Sequence, residues 1–262
     1  MDEELQRLAH EIVKSITRAV RKEYRKNFYK LGKTVGIGAA GSPTSYIDRV
    51  AEDVALKALA KSDLKVNLLS EEKGFVDFGG EYLFVLDPVD GTRNAYRGIP
   101  LFSVSLAVGK HRVSDIDYGI VQNIPTGDVF TAEKQHGAFF NATPIRVCEV
   151  PSAEMMSSIS LGKNQTLSAV ALSKKGNVRS LGAASLEMCM VASGALDYYF
   201  VGKEILRVVD IAAATLIVRE AGGVVKTITG DDLDMNLTLE ERTSVVASCS
   251  EQFVRSLLRH KT

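Results

Sequence analysis

The sequence predicts an α/β chain made of two unlike halves, on three observations. A helical stripe opens the chain and a second helix follows. A meander of strand-like runs then gives the first half an α+β order, whereas after residue 152 helices and strands alternate as in a layered α/β region. The change of order sets a boundary at residues 146–152, at Pro151. It separates an α+β domain over 1–147, with a mobile loop at 32–44 and the densest acidic motif, from an α/β domain over 148–262 that contributes Asp210. No internal repeat, low-complexity tract or long linker interrupts this plan.

In chain order, Leu5, Leu8, Ile12, Ile16 and Ala19, with Val13 and Val20 beside them, recur every three or four residues and predict a helix over 3–30. Its other face is rich in Lys and Arg. A basic amphipathic helix can anchor to a membrane, but the acidic start and the lack of bulky aromatics on the stripe favour ordinary packing. Residues 32–44 hold four glycines and a proline, which predicts a loop rather than an element. A second helix is expected over Thr44–Lys61, then a short strand over Val66–Leu69, the pair Glu71 and Glu72, and a turn through Gly79-Gly80. Tyr82–Leu86 is a continuous apolar run of strand formers, hence a buried strand. Ser103–Val108, Tyr118–Gln122, Val129–Ala132, Ala138–Phe140, Met155–Leu161, Asn177–Leu181 and Val245–Ser248 are further strand candidates. Leu167–Lys174, Ala184–Ser193, Ile211–Ala221 and Glu251–Arg259 read as helices, the third closed by Gly222-Gly223.

Lys and Arg together number 32, as do Asp and Glu, so no basic excess draws the whole molecule onto nucleic acid or an anionic membrane. No apolar stretch approaches the ~20 residues that span a bilayer. Met1-Asp2-Glu3-Glu4 is neither the basic start of a signal peptide nor an acid-poor transit peptide. The chain therefore reads as soluble and cytoplasmic, with no nucleic-acid or membrane partner. Cys148, Cys189 and Cys249 are too few and scattered for a disulfide framework or a Cys-type zinc site, and they read as small buried hydrophobes. A Cys148–Cys189 pair forms only if the fold brings the two together.

The chemistry concentrates in Asp87-Pro88-Val89-Asp90-Gly91-Thr92-Arg93-Asn94, directly after the apolar run. Pro88 biases Asp87 toward an extended conformation, so the strand is expected to end at Asp87. Asp87, Asp90 and the Val89 carbonyl then face one side as three oxygens of a shell for a hard divalent cation such as Mg²⁺. A short helix beginning at 90–92 would aim backbone N–H groups at phosphate oxygens, and Gly91 lets a ligand approach the backbone. An Asp-Pro or Asp-Gly alone is accounted for by turn preference; the full octet after a buried strand is not. Asp210, before Ile211-Ala212-Ala213-Ala214, reads by itself as a helix cap, and the small residues after it call for close packing. Glu71 and Asp48 are individually unremarkable, since acidic residues are mostly solvated.

Taken together, Ser70-Glu71-Glu72, the octet at 87–94 and Val209–Ala214 with Glu220-Ala221-Gly222-Gly223 resemble the inositol monophosphatase family. This is a branch of the lithium-sensitive, metal-dependent phosphatase superfamily. Gly182-Ala183-Ala184-Ser185 and Ala195-Leu196-Asp197 also sit where the family has matching segments, so the resemblance covers nearly the whole chain. It is nearest to the archaeal members that act on both inositol monophosphate and fructose 1,6-bisphosphate. The resemblance implies a layered αβαβα sandwich of the sugar-phosphatase type, a homodimer, and two or three Mg²⁺ per site, with Mn²⁺ as a substitute. It implies that Glu71, Asp87 and the Val89 carbonyl hold metal, that Asp90 bridges metals and that Asp210 completes the second site. Thr92 with Glu71 would orient the attacking water, the Gly91 and Thr92 amides would hold the phosphate, and Asp48 would assist a weaker third metal or its water. Gly182, Ala183 and Ala184 would face the substrate.

Elementary electrostatics agrees. Four carboxylates in one cleft cannot all stay ionised without cations, because desolvation and mutual repulsion oppose their charges. Mg²⁺ relieves that conflict, and it activates water and stabilises the leaving alkoxide. His10, His111, His136 and His260 lie outside the motifs, which fits direct attack by water. Two departures stand out. Archaeal relatives carry an Asp where this chain has Ala40, which would cost a ligand of the third metal and slow the enzyme. Lys203 stands where animal inositol monophosphatases carry a Glu that contacts inositol, and with Arg179 and Arg207 it would suit a second phosphate. The expected function is therefore Mg²⁺-dependent hydrolysis of a small sugar or polyol phosphate. The alternatives are a nucleotide 3′-phosphatase or NADP phosphatase, and a non-catalytic metal and phosphate binder.

Overall fold

The computed structural model describes residues 1–39, 41–149, 154–161, 166–174 and 176–258. Asp2 accepts from the Glu4 N–H and caps α1 (Glu3–Lys26), whose predicted stripe is buried at Leu5, Leu8, Ile12 and Ile16, with Val13 and Val20 beside them, while Ala19 is only half-buried. The helix stops at Asn27, short of the expected residue 30. The expected loop over 32–44 instead carries two paired strands, β1 (Thr34–Ile37) and β2 (Pro43–Ser45). Thr34, Val35 and Ile37 are strand formers, and their preference prevails over the flanking glycines. Ser45 then caps α2 (Tyr46–Lys61), in a capping box with Asp48.

Three strands lead into the acidic motif: β3 (Val66–Ser70), β4 (Gly74–Val76) and β5 (Tyr82–Asp90). β5 does not stop at Asp87. Its pairing shifts register between Asp87 and Asp90, and this irregularity accommodates Pro88, which has no N–H to donate. After α3 (Thr92–Arg97) come β6 (Ser103–Gly109), β7 (Tyr118–Asn123), β8 (Val129–Glu133), β9 (Gly137–Phe140) and β10 (Thr143–Ile145). The eight strands from β3 to β10 form one sheet, ordered β10-β9-β8-β7-β6-β5-β3-β4, in which β3 and β5 are parallel and every other pair is antiparallel.

The second half holds β11 (Met156–Ile159), α4 (Leu167–Leu172), β12 (Asn177–Arg179), α5 (Ala184–Ala192), β13 (Tyr198–Leu206), α6 (Val208–Glu220), β14 (Val224–Lys226), β15 (Thr243–Ser248) and α7 (Glu251–Leu258). A five-stranded sheet of order β12-β11-β13-β15-β14 results, and its middle strand β13 is one that sequence periodicity did not reveal. α6 begins three residues before the expected Ile211, so Asp210 sits inside its first turn instead of capping it from outside.

The layers follow from which faces are apolar. α1 and α2 cover one face of the large sheet, and α5 and α6 lie between the two sheets. On β13, Tyr199 and Val201 face α5 and α6, whereas Tyr198 and Phe200 join the cluster with α4 and α7 on the far side. The expected αβαβα sandwich is therefore the observed fold. All three cysteines are free thiols; Cys148 lies against Cys249 rather than Cys189.

Candidate active site

The acidic residues meet where the ends of several strands and helices converge. Glu71 follows the last residue of β3, Asp87 and Asp90 lie at the end of β5, and Asp48, Thr92 and Asp210 occupy the first turns of α2, α3 and α6. One carboxylate oxygen each from Glu71, Asp87 and Asp210 lies within 4.8 Å of the others. A cavity of about 590 Å³ opens over this cluster, lined also by Asp48, Val89, Asp90, Gly91, Thr92, Gly182 and Arg207. Helix N-termini carry partial positive charge, so the first turns of α2, α3 and α6 offset part of the concentrated negative charge. A set of hard oxygen donors at this spacing fits a divalent cation bound by carboxylates.

Burial drives the carboxyl groups of Asp48, Asp87 and Asp90 toward their neutral forms. Asp87 is 2% exposed, and burial followed by the charges of Glu71, Asp90 and Asp210 holds its pKa well above the ordinary carboxylate range. Asp90 is pushed up to about 7, burial being the largest cause. Its Oδ2 accepts from the Ser185 N–H (2.8 Å) and hydroxyl (2.6 Å), and its Oδ1 from the Ala184 N–H at 3.1 Å. Asp90 thus fastens β5 to the start of α5, and its Oδ1, with one donor, keeps acceptor capacity at a residue that lines the cavity.

Asp48 is likewise pushed up to about 7 by burial, against the opposing hydrogen bonds of Ser45 and Thr92. The Thr92 hydroxyl reaches Asp48 Oδ1 at 3.1 Å and the Val89 carbonyl at 2.9 Å. The carboxylate paired with Thr92 is therefore that of Asp48, a contact that the sequence reading did not foresee. Gly91, at φ 85°, starts α3 in the left-handed region; a Cβ there would lie 3.1 Å from both the Ala183 Cβ and the Leu101 carbonyl.

The substrate-side expectations divide. Arg207 is inside the centre, hydrogen-bonded to Glu71 and, at 2.7 Å, to Asp210. Burial works against its charge, but the two carboxylates outweigh burial and raise its pKa. Gly182 lines the cavity; Arg179, Lys203, Ala183 and Ala184 do not. The N–H groups of Gly182 and Ala183 are held by Glu187 and that of Ala184 by Asp90, so those amides are not turned toward a substrate. Arg179 points its Nη1 back to the Val178 carbonyl on β12. Ala40, where an Asp was expected to matter, lies outside the described residues.

Glu72 is the residue that the sequence reading passed over. It is buried beside Glu71, lines the cavity, and accepts from the Thr44 hydroxyl and, through its carbonyl, from the Ala39 N–H at 2.9 Å. Burial raises its pKa as well. The adjacent pair Glu71-Glu72 carried the signal, since successive residues at a strand end face opposite ways: one toward the acidic centre, one toward the β1–β2 hairpin.

The family model described as the inositol monophosphatase family matches residues 1–261. A Thermococcus kodakarensis protein named fructose-1,6-bisphosphatase/inositol-1-monophosphatase is 38% identical over 232 residues, covering 87% of each chain. A Methanococcus maripaludis protein named bifunctional NADP phosphatase/NAD kinase is 34% identical over 96% of this chain but only 48% of its own length. Among solved structures, a Pyrococcus horikoshii protein described as similar to inositol-1 monophosphatase superposes with a TM-score of 0.85 at 30% identity, over 99% of both chains. The chain belongs to the inositol monophosphatase family of metal-dependent phosphatases.

Proposed function

We propose that this protein is a Mg²⁺-dependent phosphomonoesterase that hydrolyses small sugar or polyol phosphates, inositol monophosphate and fructose 1,6-bisphosphate among them, by in-line attack of water. The observation that carries the reading is the convergence of Glu71, Asp87 and Asp210 from three separate elements, beside the Asp48–Thr92 pair. Glu71, Asp87, Asp210, the Val89 carbonyl and the open lone pair of Asp90 would hold the cations. When bound, these cations acidify a water and neutralise charge on the transferred phosphoryl group. The Thr92 hydroxyl donates to Asp48 Oδ1 and keeps an oxygen lone pair that would accept from a water; as the water gives a proton to Thr92, Thr92 would pass its own to Asp48, whose carboxyl at about 7 is in the range of a general base. The Asn94 N–H is already bound to the Gly91 carbonyl at 2.8 Å, so the N–H groups that precede it, those of Gly91, Thr92 and Arg93, are the ones that would meet phosphate oxygens.

Residues 1–147 supply Glu71, Asp87, Asp90 and the Asp48–Thr92 pair, while residues 148–262 supply Asp210 and Arg207. This is the division of labour between the two domains. The molecule is taken to be a cytoplasmic homodimer, for which light scattering in solution is the check. The test of the reaction is phosphate release from inositol 1-phosphate and fructose 1,6-bisphosphate, with Mg²⁺ and with chelator. Hydrolysis should require Mg²⁺, and Asp90→Asn should lower it by at least about 10²-fold. Turnover that persists in chelator, or none at all with Mg²⁺, defeats the proposal. A second reading, NADP phosphatase, is favoured by the Methanococcus maripaludis relative and by Tyr96, an aromatic face on the cavity wall. Including NADP in the same assay separates the two.

A further inference from the structure

Arg207 lies within the acidic centre, with its side chain 19% exposed. Nη1 donates to Glu71 Oε1, Nη2 to Asp210 Oδ1 at 2.7 Å, and Nε reaches both Asp210 oxygens at 3.2 and 3.3 Å. Glu71 and Asp210 are two of the three carboxylates whose oxygens cluster within 4.8 Å. The guanidinium therefore straddles the pair that a divalent cation would also have to straddle. A cation held by carboxylate oxygens at roughly 2.0–2.1 Å would meet a second positive charge only a few ångströms away, on the same oxygens. At that separation like charges repel, the more so because Asp87 and Asp210 are buried.

The backbone makes such an exchange feasible. The Arg207 N–H donates to Asp210 Oδ2 at 2.7 Å, which fixes the start of α6. The side chain beyond it has four rotatable bonds and a cavity of about 590 Å³ to move into. We propose that Arg207 is a tethered cation that competes with the divalent metal for Glu71 and Asp210. Metal binding then displaces the guanidinium into the cavity, where its planar fork of N–H donors suits phosphate oxygens. Arg207 acts here as a positioning residue with two consequences: it weakens metal binding when no substrate is present, and it couples metal arrival to phosphate-ester binding.

This inference rests on the metal-dependent reading given above, and its test keeps the two apart. Mn²⁺ binding to the full-length protein is measured by the loss of the free-ion electron paramagnetic resonance signal, without substrate, for wild type, Arg207→Gln and Arg207→Lys. Removing a competing charge should tighten Mn²⁺ binding by about tenfold or more in Arg207→Gln. Arg207→Lys, which keeps the charge but loses the fork, should fall between. Thermal unfolding supplies a second readout. In chelator Arg207→Gln should melt below wild type, and Mn²⁺ should raise its midpoint by more than it raises that of wild type. Unchanged or weaker Mn²⁺ binding by Arg207→Gln, with wild type still binding Mn²⁺ and hydrolysing substrate, overturns the competition alone and leaves Arg207 as a simple strut. Failure of both proteins to bind Mn²⁺ overturns the competition and the metal-dependent reading together.

Discussion

A carboxyl that is 7% exposed behaves unlike one in water, and Asp48 shows the consequence. Burial is the largest influence on it and pushes its pKa up to about 7, although Ser45 and Thr92 both donate to the ionised form; Asp90 reaches about 7 for the same first reason. Between the ordinary Asp value and about 7, the folded protein binds protons that the unfolded chain has released. Stability then falls as pH rises across that interval. The contribution of these two groups is complete below the unfolded pKa of 3.8 and is lost by about pH 7. In chelator, the melting midpoint should therefore decline from about pH 5 to about pH 7.5. Saturating Mg²⁺ should flatten the decline, because a bound cation replaces the proton as the partner of the buried charge. A midpoint that rises with pH in chelator across that window would contradict the assigned burial. These residues were legible in the sequence as a motif. The Thr92–Asp48 contact was not, because it depends on how α2 is set against α3.

Two of the segments around the cavity are braced from behind by a buried carboxylate on a helix. Glu52 of α2 accepts from the Ser70 hydroxyl and from the Lys73 N–H at 3.0 Å, fixing the turn that carries Glu71 and Glu72. Glu187 of α5 accepts from the Ser158 hydroxyl and from the N–H groups of Leu181, Gly182 and Ala183 at 3.3, 2.8 and 3.0 Å. Truncating Glu187 leaves several donors without an acceptor in a dry place. Glu187→Ala should therefore cost about 3 kcal/mol or more, read from the denaturant midpoint at unchanged m, and Glu187→Gln should cost less because it keeps an acceptor oxygen. Equal, small losses in both variants would show that the 181–183 segment holds itself. The isolated charge in Ser185-Leu186-Glu187-Met188-Cys189 was a readable sign of such a brace. Other elements gave weaker signs. The β1–β2 hairpin was hidden behind its glycines, and β5 continued past Pro88 because a register shift absorbed the missing donor. β13 was missed although Ser193-Gly194 turns the chain between α5 and it, with Gly194 at φ 73°, because Lys203 and Glu204 break the apolar run that begins at Tyr198. Long periodic elements such as α1 were plain, since a 3.6-residue stripe needs no tertiary information to be seen.

At the scale of the whole molecule, the site depends on how closely two layers approach. α6 carries Asp210 in its first turn and crosses the large sheet with Ala212, Ala213 and Ala214 buried beneath it. The small residues after Asp210 had called for close packing, and the contact is direct. A Cβ at Gly119 of β7 would lie 2.8 Å from the Ala213 carbonyl oxygen and 3.1 Å from its Cα. No sequence pattern places Gly119 opposite Ala213, 94 residues on by chain numbering (213 − 119 = 94), and the same holds for the meeting of Asp210 with Asp87. That meeting was inferred from resemblance to a family and not from periodicity. The approach makes a remote substitution informative. Gly119→Ala forces backbone against backbone, which no rotamer change can relieve, so α6 must lift from the sheet at a cost of about 1–3 kcal/mol. Because Asp210 travels with α6, the variant should also bind Mn²⁺ more weakly than wild type, although residue 119 lies on β7 and contributes nothing to the cavity lining. Denaturant unfolding and Mn²⁺ titration of the one variant read the two effects separately. Lost stability with undiminished Mn²⁺ affinity would mean that Asp210 is held by its local partners, Arg207 and the first turn of α6, independently of how the helix rests on the sheet.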